Sequence, residues 1–245
     1  MFDFLKRNKE QETLFFKTDI HSHVVPGVDD GSKKLETSIY LVKQLYDMGV
    51  NKMIATPHVN ATYKNTPRTL EDPFNSLYDA LKSEDIDLDL SHSAEYRLDD
   101  FFEDEVMGKN EYMLFPDNYI LIENSFWQQA MNFDQIVFDL KMQGYKPILA
   151  HPERYSFYAQ HKEVYARLHD YEILFQLNIL SFSGYYGKEV KETAFWLLKN
   201  DLVDFIGTDM HNRDHAEHIR KFIGTSDYKR LKKNAHVKND IVFGR

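Results

Sequence analysis

Cysteine is absent from the sequence. Its absence excludes disulfide bonds, thiolate metal sites and every mechanism with a cysteine nucleophile. No run of about 18 apolar residues occurs, and the opening stretch MFDFLKRNKEQETLFF lacks the long apolar core of a signal peptide. We therefore expect a cytoplasmic protein that is not integral to the membrane.

Positive charge is also in short supply. The chain has 30 Lys and Arg residues against 39 Asp and Glu residues, which gives a formal net charge of -9. On average such a surface repels nucleic acid and anionic membranes, so we expect no nucleic-acid partner. An anionic substrate would need local positive charge, which bound divalent cations could supply.

Short apolar runs rich in β-branched and aromatic residues alternate with longer segments of helical periodicity, as is typical of βα units. Strands are predicted at residues 18–21, 53–56, 88–94, 119–123, 147–151, 173–178 and 203–208, and helices at 34–48, 70–82, 133–143, 162–169 and 188–199. About seven such units favour a closed parallel barrel over an open sheet. Ser32 is predicted to cap the first helix and Gly49 to end it. Because no linker-like stretch interrupts the chain, we predict one domain of residues 1–245.

Histidine and acidic residues recur where the predicted strands end. His21 and His23 are one residue apart on an extended segment, so both imidazoles can face one ion, although a lone pair of this kind is about as often incidental. Further strand ends carry His58, Glu95, Glu123, His151, Asp209 and His211. Since the ends of parallel barrel strands meet on one face, these residues predict a shared site for two or three manganese, iron or zinc ions.

Two adjacent aspartates follow the histidine pair. We assign Asp30 to the metal cluster and expect Asp29 to stabilise the N-terminus of the next helix. His92 lies inside a predicted strand rather than at its end, so it is expected to be structural or exposed.

The motifs DIHSH, VDDG, TPH, AEY, IEN, AHPERY and TDMHN follow one another in this order. Together they resemble the PHP (polymerase and histidinol phosphatase) superfamily, and most closely its bacterial metal-dependent protein tyrosine phosphatases of the CpsB/YwqE type, which are encoded with capsule and exopolysaccharide machinery. The resemblance implies an α/β fold, a distorted (β/α)7 TIM-like barrel, with two or three divalent ions, most often manganese. It leaves residues 1–17 as an N-terminal arm and residues 213–245 as a divergent C-terminal segment.

The resemblance also assigns roles to single residues. The implied metal ligands are His21, His23, Asp30, His58, Glu95, Glu123, His151, Asp209 and His211. Arg154 is implied to bind the substrate phosphate and to act in catalysis with Asp30 and His211; an ion pair with Glu153 is the alternative for this arginine. These phosphatases carry a further arginine shortly after the DMHN motif. Here Arg213 is close but out of register, and His215 is another candidate for the second phosphate contact.

Aromatic residues follow several of the predicted strands. Tyr63 and Tyr96, together with Phe126 and Trp127, could form the wall of a cleft that binds a phosphotyrosyl ring. The alternative, about equally favoured, is that these aromatic side chains cap the barrel core.

The chemistry that the resemblance implies is hydrolysis of phosphotyrosine by metal-activated water, which needs no protein nucleophile. The phosphotyrosine partner is implied to be the tail of a membrane tyrosine autokinase that regulates capsule or exopolysaccharide synthesis. Two alternatives stay open. One is a phosphatase of a small phosphoester such as histidinol phosphate, and the other is a metal-binding regulatory protein that has lost catalysis.

Overall fold

A computed structural model describes residues 13–109 and 111–244, so most of the predicted N-terminal arm lies outside the described residues. The strands are β1 (Thr18–Asp19), β2 (Lys52–Ala55), β3 (His58–Val59), β4 (Asp89–His92), β5 (Glu95–Arg97), β6 (Tyr119–Glu123), β7 (Lys146–Ala150), β8 (Leu174–Asn178) and β9 (Phe205–Gly207). The α-helices are α1 (Leu35–Asp47), α2 (Pro67–Ser83), α3 (Phe133–Met142), α4 (Ser156–Ala159), α5 (Glu163–Asp170), α6 (Ile179–Ser183), α7 (Lys188–Lys199), α8 (Arg213–Ile223), α9 (Ser226–Asn234) and α10 (Asn239–Val242). No helix within the described ranges is long and apolar enough to cross a membrane.

The strands form one parallel set, in which two strands are interrupted. β2 pairs with β1 and β4, and β3 pairs with β5, after which β6, β7, β8 and β9 follow in order. Hydrogen bonds from Ser93 N to Ala55 O and from Glu95 N to Pro57 O carry the pairing across the interruption. β2 with β3, and β4 with β5, therefore act as two continuous strands, which leaves seven parallel strands in all.

The first and last of these strands meet and close the barrel. Asp209 N donates to His21 O at 2.7 Å, and His23 N donates to Met210 O at 2.9 Å. Lower in this seam, the Thr208 hydroxyl donates to Asp19 Oδ2 at 2.6 Å. The predicted α/β fold, a TIM-like (β/α)7 barrel, is confirmed.

The barrel interior is apolar at the end away from the polar strand ends. One cluster of buried side chains fills this end. It contains Phe243 from the C-terminus and one residue from each of several strands or strand ends: Ile20, Ile54, Leu121, Ile148 and Phe205.

Most predicted helices agree with the structure to within one or two residues. α2 begins earlier, at Pro67, because Thr66 caps it by accepting a hydrogen bond from Thr69 N. The prediction for Ser32 is wrong, since Lys34 occupies the cap of α1 and the Ser32 hydroxyl donates to Lys34 O.

The C-terminal segment, expected to be divergent, folds into α8, α9 and α10 and completes the barrel seam. The Asn239 amide is fully buried; its Nδ2 donates to Thr18 O at 2.9 Å and to Ile206 O at 2.7 Å, and its Oδ1 accepts from Ile206 N. Asp240 accepts hydrogen bonds from Lys17 N and Thr18 N. Asn239 and Asp240 therefore supply hydrogen-bond partners for backbone groups at β1 and β9 that these two strands do not supply to each other at this end of the seam.

We expect Asn239→Ala to lower the free energy of unfolding by about 3 kcal/mol, because it leaves buried backbone groups of both edge strands without partners. Urea unfolding of this variant beside Asn234→Ala, whose side chain is exposed on α9, measures the difference. Equal stability of the two variants would show that the seam does not depend on Asn239.

Candidate active site

The polar residues at the strand ends converge at one end of the barrel. Their donor atoms form four overlapping groups, within each of which all atoms lie within 4.8 Å of one another: His23, Asp30, His58 and His211; His21, His23 and Glu95; His21, His151 and Asp209; and His58, Glu95 and Glu123. All nine residues expected to bind metal are thus brought together. Glu95 is central, since its two oxygens approach four histidine rings.

The spacing of these atoms fits divalent cations. His58 Nδ1 lies 3.0 Å from Glu95 Oε2, and His21 Nε2 lies 3.4 Å from both Glu95 Oε2 and Asp209 Oδ1. Ligand atoms about 2.1 Å from an ion are about 3.0 Å apart at octahedral angles and about 3.4 Å apart at tetrahedral angles. Among the described residues, Glu95 Oε2 and His58 Nδ1 are buried without a hydrogen-bond partner, as expected of atoms that bind an ion.

Three residues whose role the sequence did not reveal hold candidate ligands in place. Asp29 Oδ2 lies 2.7 Å from His23 Nδ1, Gln176 Oε1 lies 2.6 Å from His21 Nδ1, and Asn178 Nδ2 donates to Asp209 Oδ2 at 2.7 Å. Asp29 therefore orients a candidate ligand histidine instead of stabilising a helix terminus. Such partners fix the tautomer and the ring direction of a ligand. The alternation of Gln176 and Asn178 along β8 was the available signal, because both face the same side of the strand.

Two glycines leave room for the histidine pair. A Cβ atom on Gly31 would lie 2.4 Å from His23 Cβ, and a Cβ atom on Gly207 would lie 2.5 Å from His21 Cβ. Any larger residue would displace one of these two candidate ligands.

Two candidate ligands have backbone conformations that are unusual for residues other than glycine. His151 has φ of 35° and Asp209 has φ of 49°, both in the left-handed region. Strained backbone of this kind is concentrated at functional sites, where the surrounding structure enforces it.

Burial and mutual contact shift the pKa values within the cluster. Burial raises the pKa of Glu123 to about 7, and the nearby Glu95 carboxylate adds to the increase. Burial and His23 act to lower the pKa of His58, but Glu95 and Asp30 outweigh them and raise it to about 10. Burial lowers the pKa of His151 to about 4, which keeps this imidazole neutral and able to bind a cation. In the absence of a cation, a raised pKa such as that of His58 means that the imidazole carries a proton, which a cation must displace. We therefore expect metal affinity to fall as pH falls.

A cavity of about 330 Å³ lies over the cluster and has two arginines in its wall, Arg97 and Arg154. Arg154 Nη1 donates to Asp209 Oδ2 at 2.9 Å. Its guanidinium lies 4.5 Å from the ring centre of Phe126 and 4.1 Å from that of Tyr186, so two aromatic faces hold it in place. Arg97 Nε donates to Glu123 Oε1 at 3.1 Å.

Tyr186 contributes a further polar group to this wall. Its hydroxyl is buried and has no hydrogen-bond partner among residues 13–109 and 111–244. Burial, helped by the Asp209 carboxylate, raises the pKa of Tyr186 well above its ordinary value of 10.0, so the hydroxyl stays protonated. It is therefore a hydrogen-bond donor available to a bound molecule.

The other residues expected to contact substrate lie in different places. Tyr96 is 1% exposed and its hydroxyl accepts a hydrogen bond from Met113 N, so it is a core residue and the expectation is corrected. Arg213 is exposed, with its guanidinium 4.0 Å from the Tyr40 ring centre and outside the cavity wall, which corrects its assignment as second phosphate contact.

His215 does line the cavity, with Nδ1 3.0 Å from Asp209 O. Tyr63 lies outside the cavity wall but stacks parallel to His58 at 6.1 Å, and its contact with substrate stays a prediction.

Glu153 does not pair with Arg154, which was the alternative reading of the HPER motif. It is 2% exposed and accepts hydrogen bonds from the Ser181 hydroxyl at 2.6 Å and from Asn178 N at 2.9 Å. These contacts fix the turn on which Arg154 lies. His92 is half-buried and packs edge-on against Phe74, as expected of a residue outside the site.

Glu153 predicts a pH dependence of stability. Burial raises its pKa from 4.5 to about 7, so the folded state binds a proton that the unfolded state releases, and the stabilisation is lost as pH rises through 7. Glu153→Gln keeps the accepting oxygen without the charge. We expect the variant to exceed the parent in free energy of unfolding by on the order of 3 kcal/mol at about pH 8, and by much less at about pH 5. Urea unfolding at both pH values measures this, and a difference independent of pH would contradict it.

Comparison with known proteins gives a family and several relatives. The family model described as capsular polysaccharide synthesis, CpsB/CapC, matches residues 17–240. The tyrosine-protein phosphatase YwqE of Bacillus subtilis is 31% identical over 195 residues, which cover 79% of this chain and 77% of the relative. The tyrosine-protein phosphatase CpsB of Streptococcus pneumoniae is 32% identical over 205 residues, covering 80% and 83%.

A solved structure agrees with these relatives. It comes from crystallographic work on YwqE from Bacillus subtilis and CpsB from Streptococcus pneumoniae, described as unique metal-dependent tyrosine phosphatases. It superposes with a TM-score of 0.77 at 28% identity, covering 93% of this chain and 94% of the other. The family resemblance expected from the motifs is confirmed.

Proposed function

The chain belongs to the CpsB/CapC family of capsular polysaccharide synthesis, and from this we propose that it is a metal-dependent protein tyrosine phosphatase. The observation that carries the proposal is the position of a clamped arginine, Arg154, above nine converging His, Asp and Glu side chains. We further propose that the enzyme acts in the cytoplasm, on the tail of a membrane tyrosine autokinase that regulates capsule or exopolysaccharide synthesis.

In this proposal the four overlapping groups hold two or three divalent cations, with manganese the preferred ion. The bound ions would supply positive charge to the phosphoryl oxygens and lower the pKa of water toward neutrality. Asp29, Gln176 and Asn178 keep His21, His23 and Asp209 directed at the cations. The His, Asp and Glu side chains of the cluster bind cations. The site therefore needs further cationic side chains to bind the substrate phosphate itself.

Arg154 binds the substrate phosphate in this proposal. Its planar guanidinium suits two phosphoryl oxygens, and stacking between Phe126 and Tyr186 removes the entropy cost of ordering it. Arg97 takes the part that the sequence assigned to Arg213, because it is the other arginine in the cavity wall. The Tyr186 hydroxyl donates a hydrogen bond to the phosphoester, and Phe126 provides an apolar face for the phenyl ring.

Hydrolysis of a phosphotyrosyl peptide, a phosphoserine peptide and histidinol phosphate, with manganese or with chelator, tests the function. We expect phosphotyrosine to be preferred, activity to be lost with chelator, and manganese to restore it. His21→Ala should remove activity, whereas His92→Ala, a histidine outside the site, should retain it.

Two results would contradict the proposal. Metal-dependent turnover of histidinol phosphate alone would assign the protein to small phosphoesters. Metal binding without turnover of any of the three substrates would favour the metal-binding regulatory protein.

A further inference from the structure

A second cavity, of about 530 Å³, lies beside α7 and differs in charge from the rest of the protein. Its wall contains five basic and two acidic side chains, whereas the whole chain has a net charge of -9. We name it the α7 groove, and its defining residues are Lys162, Lys188, Lys191, Trp196, Lys199 and Arg230.

The two acidic residues of the groove offset only part of this charge. Asp227 pairs with Lys191 at 2.7 Å, while Glu192 is 3.6 Å from Lys188 with both side chains mostly exposed, a pair that contributes little. Lys162 Nζ lies 5.4 Å from the Trp196 ring centre, and the Arg230 guanidinium lies 4.2 Å from that of Phe195. The groove therefore combines an aromatic floor with excess positive charge, which suits an acidic peptide.

The basic side chains follow one face of α7. Lys188, Lys191 and Lys199 recur with Trp196 at helical spacing, and the helix rises about 16 Å between the first and the last. An extended peptide advances about 3.3 Å per residue, so about five residues match this length.

The groove begins close to the candidate active site along the chain. Tyr186 lines the active-site cavity, and Lys188, only two residues further along the chain, lines the groove. Two residues span at most about 7 Å. The backbone between the two cavities is therefore short, as a peptide requires if its phosphotyrosine enters the active-site cavity and its flanking residues lie along α7.

We propose that the α7 groove binds an acidic segment, about five residues long, that flanks the phosphotyrosine of the protein substrate. This inference rests on the proposed function and adds a substrate preference to it. The acidic segment pairs with Lys188 and Lys199, and one of its apolar or planar side chains packs on Trp196.

Steady-state kinetics on matched phosphotyrosyl peptides tests the proposal. The peptides carry three acidic residues, or alanine at the same positions, on the N-terminal side or on the C-terminal side of the phosphotyrosine. We expect an acidic flank on one side to lower KM about fivefold with kcat unchanged, and the preference to disappear between about 0.1 M and about 0.5 M salt.

The variant Lys188→Glu/Lys199→Glu should abolish this preference and raise KM for the acidic peptide about tenfold. The matched control Lys43→Glu/Lys221→Glu makes the same change in net charge on α1 and α8. Among residues 13–109 and 111–244 these two lysines form only exposed pairs, so the control should keep the preference. Each variant is also assayed on p-nitrophenyl phosphate, which has no flanking segment.

The outcomes separate this inference from the proposed function. Absence of turnover on every substrate overturns the proposed function itself. Turnover of p-nitrophenyl phosphate and of all peptides with equal KM overturns the inference alone. If the groove variant instead loses binding to phosphatidylserine vesicles while its peptide preference stays intact, the groove binds a membrane surface and the inference is wrong.

Discussion

Replacement of Glu95 by Gln is expected to reduce kcat/KM for a phosphotyrosyl peptide on the order of 1000-fold or more. Glu95 is fully buried, and its Oε2 approaches His21, His23 and His58 at 3.0 to 3.4 Å while Oε1 lies 3.0 Å from His151. The amide keeps the shape but removes the negative charge that two of the four ligand groups share. Loss of several kcal/mol of charge stabilisation corresponds to a rate factor of this size.

The cause can be separated from misfolding by measuring bound metal directly. We expect Glu95→Gln to bind at least one ion fewer per chain by elemental analysis, with a circular dichroism spectrum like that of the parent. Glu105→Gln is the matched control, because Glu105 is half-exposed and pairs only with Lys109 in the described part of the chain. A Glu95→Gln protein with full metal content and full activity would refute the central role of this carboxylate.

Replacement of Arg154 by Lys is expected to reduce kcat/KM about 100-fold while metal content stays unchanged. Lysine keeps one positive charge but cannot donate two parallel hydrogen bonds to a phosphoryl group, nor stack as a plane between Phe126 and Tyr186. Removal of one preorganised donor of this kind typically costs a factor of about 100 to 1000.

Arg213→Lys is the control for this prediction, since both arginines are candidates from the sequence but only Arg154 lies in the cavity wall. Its kcat/KM should equal that of the parent within error. Equal losses in the two variants would mean that Arg213 reaches the substrate after all. Tyr186→Phe tests the buried hydroxyl, and the expected loss in kcat/KM is about tenfold or more, from one hydrogen bond to the charged phosphoester.

Much of the fold and most of the candidate ligands could be predicted from the chain alone. Strand position follows from short apolar runs, and a parallel barrel places the ends of all strands on one face whatever their distance in sequence. For this reason His58, Glu95 and Asp209 could be grouped correctly without any knowledge of loop conformation.

Other features were decided only by the tertiary structure. Asp29 and Asp30 are adjacent, yet one faces inward to His23 and the other stays half-exposed beside His58, which depends on how the loop folds around Gly31. Tyr96 and Arg97 are also adjacent, and strand alternation sends the tyrosine into the core and the arginine into the cavity.

The same distinction applies to the seam of the barrel. Asn239 joins β1 to β9 although more than 200 residues separate it from Thr18, and no local pattern marks a residue for such a role. Strand positions follow from local periodicity, and the convergence of strand ends follows from parallel topology. The sequence by itself therefore determined the strands and the set of candidate ligands. The direction of loops and the docking of the C-terminal helices depend on contacts between distant segments, so only the tertiary structure decided the partners of Arg154, the place of Arg97 and the contacts of Asn239 at the barrel seam.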